Sequence, residues 1–305
     1  MQTVISADVP VRAQDPSQAA RPGSILRQNL LAATAEDTLS FRLIRSQYQS
    51  GDLAFESPRH HHAFQQLRWT ETGSVNYAPG QDIPEGDLAY FPRGAYYGPQ
   101  RKDQGTALLL QYGFGDEFLH RGGGSGADGG SGGGSGTRNG GDDAEQAVQR
   151  LRENGTFTGG EYLDTDPVTG APRRRDAVQA IYDARTGGDF SVPPAGYEAP
   201  ILIHPAAFSY YPAGPGIETK HLGGFYDHPG PRADLRISLV RLTGGAGYAF
   251  PADRAQIAWS ISDGLHIDGR PHPALTCLYS PRGETDTING TDGVELIVLT
   301  MPRLD

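Results

Sequence analysis

The chain has 305 residues, a net charge of −10 and one cysteine, and 37% of its residues are apolar. It is long enough to bury a real core, it has no disulfide framework, and its charge argues against nucleic acid or an anionic membrane surface as a partner. The 42 glycines and 23 prolines indicate many turns between short apolar runs, which is typical of an all-β protein. We find no membrane-span pattern and no secretory-signal pattern in residues 1–24, so a cytoplasmic location is expected.

In chain order, residues 1–36 are polar and rich in proline and alanine, and they are predicted to form an arm with one short helix near Ile25 to Ala33. Short strands follow, and the turn signals between them predict a sandwich or a small barrel. A strand over residues 60–71 is expected to end at Thr72-Gly73. The other strands of this half are predicted at residues 38–45, 52–56, 74–78, 87–91 and 106–112.

Residues 121–141 consist largely of Gly-Gly-Gly-Ser-Gly repeats, which predict a flexible connection. The two best helical stretches follow at residues 144–153 and 175–184, with a loop between them. The β pattern then resumes, and strands are predicted at residues 201–203, 207–211, 236–242, 256–262, 264–267, 275–279 and 294–299. Phe91-Pro92-Arg93-Gly94 is echoed by Ser280-Pro281-Arg282-Gly283, which indicates two like domains.

The residues with the clearest chemistry follow Pro58-Arg59 as His60-His61-His62. If this stretch is a strand, alternation places five side chains on one face, namely His60, His62, Phe64, Gln66 and Arg68. Two imidazoles two residues apart can share one metal ion, and a glutamine carbonyl can join them or bind a substrate. A solvated histidine loop is the alternative.

This stretch resembles the first motif of the cupin superfamily, a family of small jelly-roll β-barrels. That motif reads His-x-His, three or four residues, Glu, six residues, Gly, and His60-His61-His62, Gln66 and Gly73 have this spacing. Gln66 replaces the metal-binding Glu, and Ala54 stands where a glycine is expected before His60.

The second cupin motif follows in register. It reads Gly, five residues, Pro-x-Gly, two residues, His, three residues, Asn, and Gly86, Pro92-Arg93-Gly94 and Tyr97 fit it up to the histidine. Tyr97 replaces that histidine and Arg101 replaces the closing asparagine. With the internal repeat, the resemblance extends over most of the chain.

The resemblance implies an all-β fold of two cupin barrels joined by a Gly-rich linker and short helices. The divisions it implies are an arm at 1–36, an N-terminal barrel at 37–120, a connection at 121–190 and a C-terminal barrel at 191–305. In the second barrel the equivalent positions hold no imidazole, so we expect a structural or dimerisation copy without metal. Those positions are Pro251, Asp253, Ile257 and Asp286.

For the first barrel, the resemblance implies that His60 and His62 bind a divalent metal, with Gln66 as a neutral ligand and Tyr97 as a phenol ligand or acid/base. Fe(II) is favoured, and Zn, Mn, Ni and Cu stay open because the ligand types do not choose among them. Arg68, a candidate catalytic residue beside Tyr97, would need an anionic partner inside a barrel; an ion pair with Asp or Glu is favoured, and a substrate carboxylate is the other candidate. The residues expected to line the substrate pocket are Phe64, Tyr96 and Gln100.

The function implied is a metal-dependent bicupin enzyme with dioxygenase-type oxidative chemistry on a small organic molecule, for which an anion is an option. Two alternatives stay open. One is a non-redox lyase, isomerase or cyclase that uses the metal as a Lewis acid and Tyr97 as acid/base. The other is a non-catalytic cupin that binds a small molecule. The expected partners are a small-molecule substrate and, as an option, a second copy in a homodimer, with no nucleic acid and no membrane.

Overall fold

The computed structural model describes residues 1–13, 21–34, 37, 39–114, 144–186, 192–291 and 293–304. It is mostly β, with 53% of residues in strands and two helices described, so the predicted fold class is confirmed. The predicted Gly-rich linker at 121–141 lies outside the described residues. Within the described ranges, no helix has both the length and the apolar character needed to cross a membrane.

The first half of the chain contributes ten strands. They are β1 (Gln2–Ile5), β2 (Arg12–Ala13), β3 (Ile25–Ala32), β4 (Leu39–Tyr48), β5 (Phe55–Ser57), β6 (Gln65–Ala78), β7 (Gln81–Pro84), β8 (Leu88–Phe91), β9 (Gln100–Lys102) and β10 (Gly105–Phe114). Short 3-10 helices lie at Ser6–Asp8 and Gly51–Leu53.

A mixed segment separates this half from the next. It contains α1 (Ala144–Asn154), β11 (Gly155–Thr158), β12 (Glu161–Thr165), β13 (Pro172–Asp176) and α2 (Ala177–Thr186). Both helices lie where the sequence predicted helical stretches. The predicted loop between them is wrong, because β11, β12 and β13 form a three-stranded antiparallel sheet.

The second half supplies the remaining strands and a 3-10 helix at Pro205–Ala207. The strands are β14 (Ile201–Ile203), β15 (Tyr211–Gly214), β16 (Ile217–Tyr226), β17 (Asp234–Leu242), β18 (Ala246–Ala249), β19 (Gln256–Ser260), β20 (Leu265–Ile267), β21 (Arg270–His272), β22 (Thr276–Ser280), β23 (Thr287–Gly290) and β24 (Val294–Thr300).

Two large antiparallel sheets organise the molecule. The eight-stranded sheet has the order β14-β8-β6-β10-β4-β3-β2, with β7 paired to β6. The seven-stranded sheet has the order β1-β22-β19-β24-β17-β16-β15. Each is completed by a smaller sheet, β5-β9 near the first and β18-β23-β20-β21 near the second.

Alternation along the central strands separates an apolar face from a polar face in the eight-stranded sheet. Leu67 and Trp69 of β6 join a buried cluster that also contains Trp259 and Leu299 of the seven-stranded sheet. The residues between them, such as Arg68, line a cavity on the other face. The shared apolar core therefore holds the two sheets together and leaves the polar face of the first sheet for a site.

Two strands are exchanged between the halves of the chain. β1, from the N-terminus, pairs with β22 at the edge of the seven-stranded sheet. β14, from the second half, pairs with β8 at the edge of the eight-stranded sheet. This exchange does not test the domain limits that we predicted from the sequence, and they stay a prediction.

Local predictions differ from the structure at several points. The predicted helix near Ile25 to Ala33 is strand β3, because pairing with β4 along its length overrides its local helical pattern. The strand predicted from residue 60 begins at Gln65 and runs through Gly73, whose φ of 73° suits the irregular pairing at that point. The long strand β16 was missed because adjacent glycines, Gly223 and Gly224, interrupt its pattern.

Candidate functional site

A cavity of about 500 Å³ lies against the polar face of the eight-stranded sheet. Side chains of β3, β4, β6 and β10 form its wall, and residues 59–62 and Phe64 together with Tyr96 and Tyr97 form one side. Val178, Gln179 and Tyr182 of α2 also line it, so this helix covers part of the opening. The cavity brings together the predicted site residues of the first barrel, since each of them lines it.

His60 is held in place by backbone pairing with Tyr97. The amide of His60 donates to the Tyr97 carbonyl at 2.9 Å, and the amide of Tyr97 donates to the His60 carbonyl at 3.0 Å. Nδ1 of His60 donates to the carbonyl of Pro58 at 2.7 Å, which leaves Nε2 as the acceptor nitrogen. Burial, with the charge of Arg21 adding to it, lowers the pKa of His60 to about 3, so the imidazole is neutral.

His62 lies beside His60 although neither is in a named strand. The two ring centroids are 5.1 Å apart, and His62 stacks on Phe64 with centroids 4.6 Å apart. These side chains meet as predicted, but strand alternation is not the reason. A loop that is fixed by the pairing of His60 with Tyr97 brings them together.

Strand alternation also predicts that His61 faces away from His60 and His62, and this prediction is wrong. His61 lines the cavity and stacks on Tyr96 with ring centroids 4.1 Å apart. The guanidinium of Arg59 lies 4.3 Å from the centroid of the same tyrosine ring. Because this loop turns residue by residue, its side chains do not alternate between two faces as strand residues do.

Arg68 is the central cation of the cavity wall and is 3% exposed. Its Nε donates to Oε1 of Gln66 at 2.9 Å, and its Nη2 donates to the hydroxyl of Tyr97 at 3.2 Å. The guanidinium carbon lies 4.1 Å from the ring centroid of Phe91. Nη1 is buried and has no hydrogen-bond partner within the described ranges, and no carboxylate there pairs with Arg68.

Further cations lie around Arg68. Arg27 and Lys102 line the same cavity, and Lys102 is 4% exposed. Arg42 donates from Nε to Oε1 of Gln111 at 2.9 Å, and burial, followed by the charge of Arg27, lowers the pKa of Arg42 to about 10. Arg68 and Lys102 are both buried, and an anion in the cavity would offset the cost of burying their charges.

The mouth of the cavity contains a carboxylate that anchors its cover. Asp176 accepts hydrogen bonds from the amides of Val178 and Gln179, which caps the N-terminus of α2. Its other oxygen accepts from Nη2 of Arg21 at 2.6 Å. Burial opposes ionisation of Asp176, but Arg21 and the neighbouring donors outweigh it and lower the pKa of Asp176.

Gln100, predicted to bind substrate, lines the cavity but is engaged locally. Its Oε1 accepts from the Ser57 hydroxyl at 3.2 Å, and its Nε2 donates to the Tyr77 carbonyl at 3.5 Å. Three residues in or next to the cavity were not predicted, namely Gln111 and Lys102, which line it, and Arg42, which donates to Gln111. The available signal was a polar side chain between apolar neighbours, as in Phe41-Arg42-Leu43 on β4 and Leu110-Gln111-Tyr112 on β10.

A second polar cluster lies where β6 approaches the loop after β16. Burial raises the pKa of Asp227 to about 7, and His228 and Gln65 partly oppose this shift. Nη2 of Arg93 donates to the backbone carbonyl of Asp227 at 2.7 Å, and the amide nitrogen of Gln65 lies 3.3 Å from Nε2 of His228. Among the described residues, no group of three or more His, Cys, Asp or Glu side chains is placed to hold a metal ion, here or elsewhere.

Comparison with known proteins finds solved structures of similar fold. No family model and no curated protein matches the sequence. A structure from Nostoc punctiforme described as a “putative dioxygenase” is similar with a TM-score of 0.53 at 11% identity, over 99% of this chain and 82% of that one. A structure of oxalate decarboxylase is similar with a TM-score of 0.50 at 13% identity, over 100% of this chain and 78% of that one. At these identities the likeness shows the fold alone, which is the two-barrel cupin fold that the sequence motifs implied.

Proposed function

We propose that this chain, which has the bicupin fold, is a metal-dependent enzyme that binds a small organic anion in the cavity of its first barrel. Arg68 carries the proposal. Its guanidinium is buried, two of its nitrogens donate to Gln66 and Tyr97, and Nη1 has no partner in the part of the chain that the structure describes. A buried cation with an unused donor is costly unless a ligand supplies the acceptor, and a carboxylate fits a guanidinium well.

His60 and His62 are the residues proposed to hold the metal. Two imidazoles bound to one ion at about 2.1 Å place their ring centroids roughly 4.5–5.2 Å apart. The observed separation is 5.1 Å. The Nδ1–H of His60 is bonded to a backbone carbonyl, which is the support that metal-bound histidines commonly have.

Gln66 and Tyr97 fit the metal less well than the two histidines do. The oxygen of each accepts a hydrogen bond from Arg68, at 2.9 and 3.2 Å respectively. A guanidinium so close to both oxygens would repel a second cation. We therefore place the metal on His60 and His62, and we assign Gln66 and Tyr97 first to the anion site around Arg68.

A divalent ion bound there supplies Lewis acidity and, if it is Fe(II) or another redox metal, access to oxygen chemistry. The side chains of the cavity do the rest. Arg68 binds and orients the substrate carboxylate. Tyr97, whose hydroxyl oxygen accepts from Arg68, directs its own proton elsewhere and can donate it to the substrate. Helix α2 covers part of the opening and limits the access of water.

Dioxygenase-type chemistry is the first version of the proposal, with Fe(II) as the first metal to test and Mn, Ni, Cu and Zn after it. The Arg68–Tyr97 hydrogen bond favours the second version, a non-redox lyase or isomerase reaction, because it places an oriented phenol beside the proposed carboxylate. A homodimer and a cytoplasmic location stay predictions from the sequence.

Metal analysis tests the ligands. Reconstituted wild type should hold one equivalent of metal, and a His60→Ala, His62→Ala double variant should lose it. His61→Ala is the matched control and should keep the metal, because His61 is stacked on Tyr96 instead. Unchanged metal content in the double variant would refute the proposed ligands.

Oxygen consumption then separates the two versions. Metal-loaded protein is incubated with a panel of small carboxylic acids, with and without oxygen. Oxygen uptake coupled to loss of one acid supports the dioxygenase version, whereas turnover without oxygen supports the non-redox version. Saturable binding of an acid without turnover of any of them would leave a binding protein, and the enzyme proposal would be withdrawn.

A further inference from the structure

Lys102 is one of only two lysines in the chain, and it is enclosed. It is the last residue of β9, where it pairs with Phe55 of β5. Its side chain is 4% exposed and lines the cavity that contains Arg68. Nζ donates to the hydroxyl of Tyr48 at 3.2 Å and lies 4.6 Å from the centroid of that ring.

The charges that face Lys102 are positive. Arg68 on β6, Arg27 on β3 and Arg21 all act on it, and Tyr48 on β4 is the titratable group that accepts its hydrogen bond. Burial first, and then these three cations, lower the pKa of Lys102 well below 10.5. In the described part of the chain the partner of Nζ is the Tyr48 hydroxyl and not a carboxylate, so burial and the neighbouring cations both favour the uncharged amine.

A purely structural role explains this arrangement poorly. Contacts with the rings of Tyr48 and Phe55, at 4.6 and 5.5 Å, would stabilise an ammonium ion. Burial among three arginines opposes the same ion, and an apolar side chain of similar length would fill the space without that cost. A buried lysine beside other cations, whose ammonium form is opposed in this way, is instead the arrangement of an amine nucleophile.

We propose that Lys102 is a nucleophile that forms an imine with the carbonyl carbon of an oxo acid, whose carboxylate is bound by Arg68. The inference rests on the proposed anion site for the position of the carboxylate, and it adds a substrate class, the oxo acids. It does not depend on His60 or His62.

The step balances without an oxidant or a reductant. The lone pair of Nζ forms a bond to the carbonyl carbon, the carbon–oxygen π bond breaks, and a proton passes from nitrogen to oxygen to give a carbinolamine. The carbinolamine hydroxyl then leaves as water with a proton from the Tyr48 phenol, which gives the protonated imine and the Tyr48 phenolate. Tyr48 is placed to donate the proton that the departing oxygen needs, since burial raises the pKa of Tyr48 and keeps the phenol protonated.

Reductive trapping tests the proposal. Wild-type protein is incubated near neutral pH with pyruvate and cyanoborohydride, and its peptides are analysed by mass spectrometry. We expect a reduced pyruvate adduct on Lys102, exceeding that on Lys220 by roughly tenfold or more, because each unit by which an amine pKa falls gives about ten times more uncharged amine.

The second lysine makes the control simple. Lys220→Met should keep the adduct on Lys102, and Lys102→Met should lose it. Lys220 is a useful comparison because its Nζ donates to the Pro205 carbonyl at 2.9 Å, outside this cavity. An adduct on Lys220 but none on Lys102 would overturn the proposal.

A second measurement does not require any variant at Lys102 to fold. Reductive methylation of the Lys220→Met protein with ¹³C-formaldehyde leaves one labelled lysine and the N-terminal amine, and NMR then follows their titration. A midpoint for Lys102 below 10.5 supports the proposal, and a midpoint at or above 10.5 overturns it.

Acetone, which has the carbonyl but no carboxylate, separates this inference from the anion site. If Lys102 reacts with acetone to the same extent as with pyruvate, the carboxylate gives no advantage. The nucleophile then stands and the Arg68 anion site fails. If neither reacts while carboxylic acids still bind to wild type and not to Arg68→Met, the anion site stands and the nucleophile fails.

Discussion

Replacement of Arg68 by methionine should separate ligand binding from stability. The change removes a guanidinium that is 3% exposed and keeps a flexible apolar side chain of similar length. The lost bond between Nη1 and a ligand carboxylate is worth about 1.5–3 kcal/mol, which corresponds to roughly 10- to 150-fold weaker binding.

Stability should change much less. Gln66 and Tyr97 each lose one hydrogen bond from Arg68, and the contact with Phe91 at 4.1 Å loses its charge. These losses, about 1 kcal/mol each, are offset because a cation no longer has to be buried. We expect a net change within about 1.5 kcal/mol, because the two effects are of similar size.

Calorimetric titration with a series of dicarboxylates measures the affinity, and urea unfolding measures the stability. Arg68→Lys should bind with an intermediate affinity, since it keeps the charge and loses the planar pair of donors. Arg270→Met, which removes an exposed charge from β21 of the other half, should bind like wild type. Affinity within about twofold of wild type in Arg68→Met would refute the anion site, because a single charge-assisted bond is worth more than that.

Three further predictions concern groups outside the anion site. The pKa of Asp227 is raised from 3.8 to about 7, so this carboxyl contributes stability that is fully present below pH 3.8 and is lost as the pH rises through 7. Between pH 5 and pH 8 this contribution falls by about 2–3 kcal/mol, and Asp227→Asn should remove that pH dependence, measured by urea unfolding at both pH values. An unchanged difference between the two pH values would contradict the prediction. Asp176→Ala removes the cap of α2 and the ion pair with Arg21. The free energy of protection against amide hydrogen exchange in residues 177–186 should fall by about 1–3 kcal/mol. Equal protection in both proteins would contradict this. Burial raises the pKa of Cys277 from 9.0 to about 12. Iodoacetamide at pH 8 should therefore modify the thiol of the native protein about a thousandfold more slowly than that of the unfolded protein. Equal rates would contradict this prediction and show that the thiol is accessible.

The strands were predictable where apolar residues alternate or run together without interruption. The predicted strand at 201–203 coincides with β14, and the one at 236–242 lies inside β17. Where glycines interrupt the pattern, as at Gly223 and Gly224 in β16, the strand exists because β17 pairs with it, and the sequence carries little sign of that.

The candidate site shows a similar division. The motif spacing predicted which residues meet, although the cause differs, because His60 and His62 reach the cavity from a loop bonded to Tyr97. The cations could not be predicted as a group. Arg42 and Gln111 meet because β4 pairs with β10 in a particular register, and Lys102 reaches the cavity through the pairing of β9 with β5.

The exchange of β1 and β14 makes the two halves of this protein dependent on each other during synthesis and in engineering. A chain divided within residues 121–141 would give an N-terminal fragment that carries β1 without its partner β22, and a C-terminal fragment that carries β14 without its partner β8. Each fragment alone would expose an unpaired strand edge, which is a template for aggregation. Produced together, the fragments hold complementary edges and can reassemble, so the natural unit for mutagenesis or domain grafting is the pair of barrels.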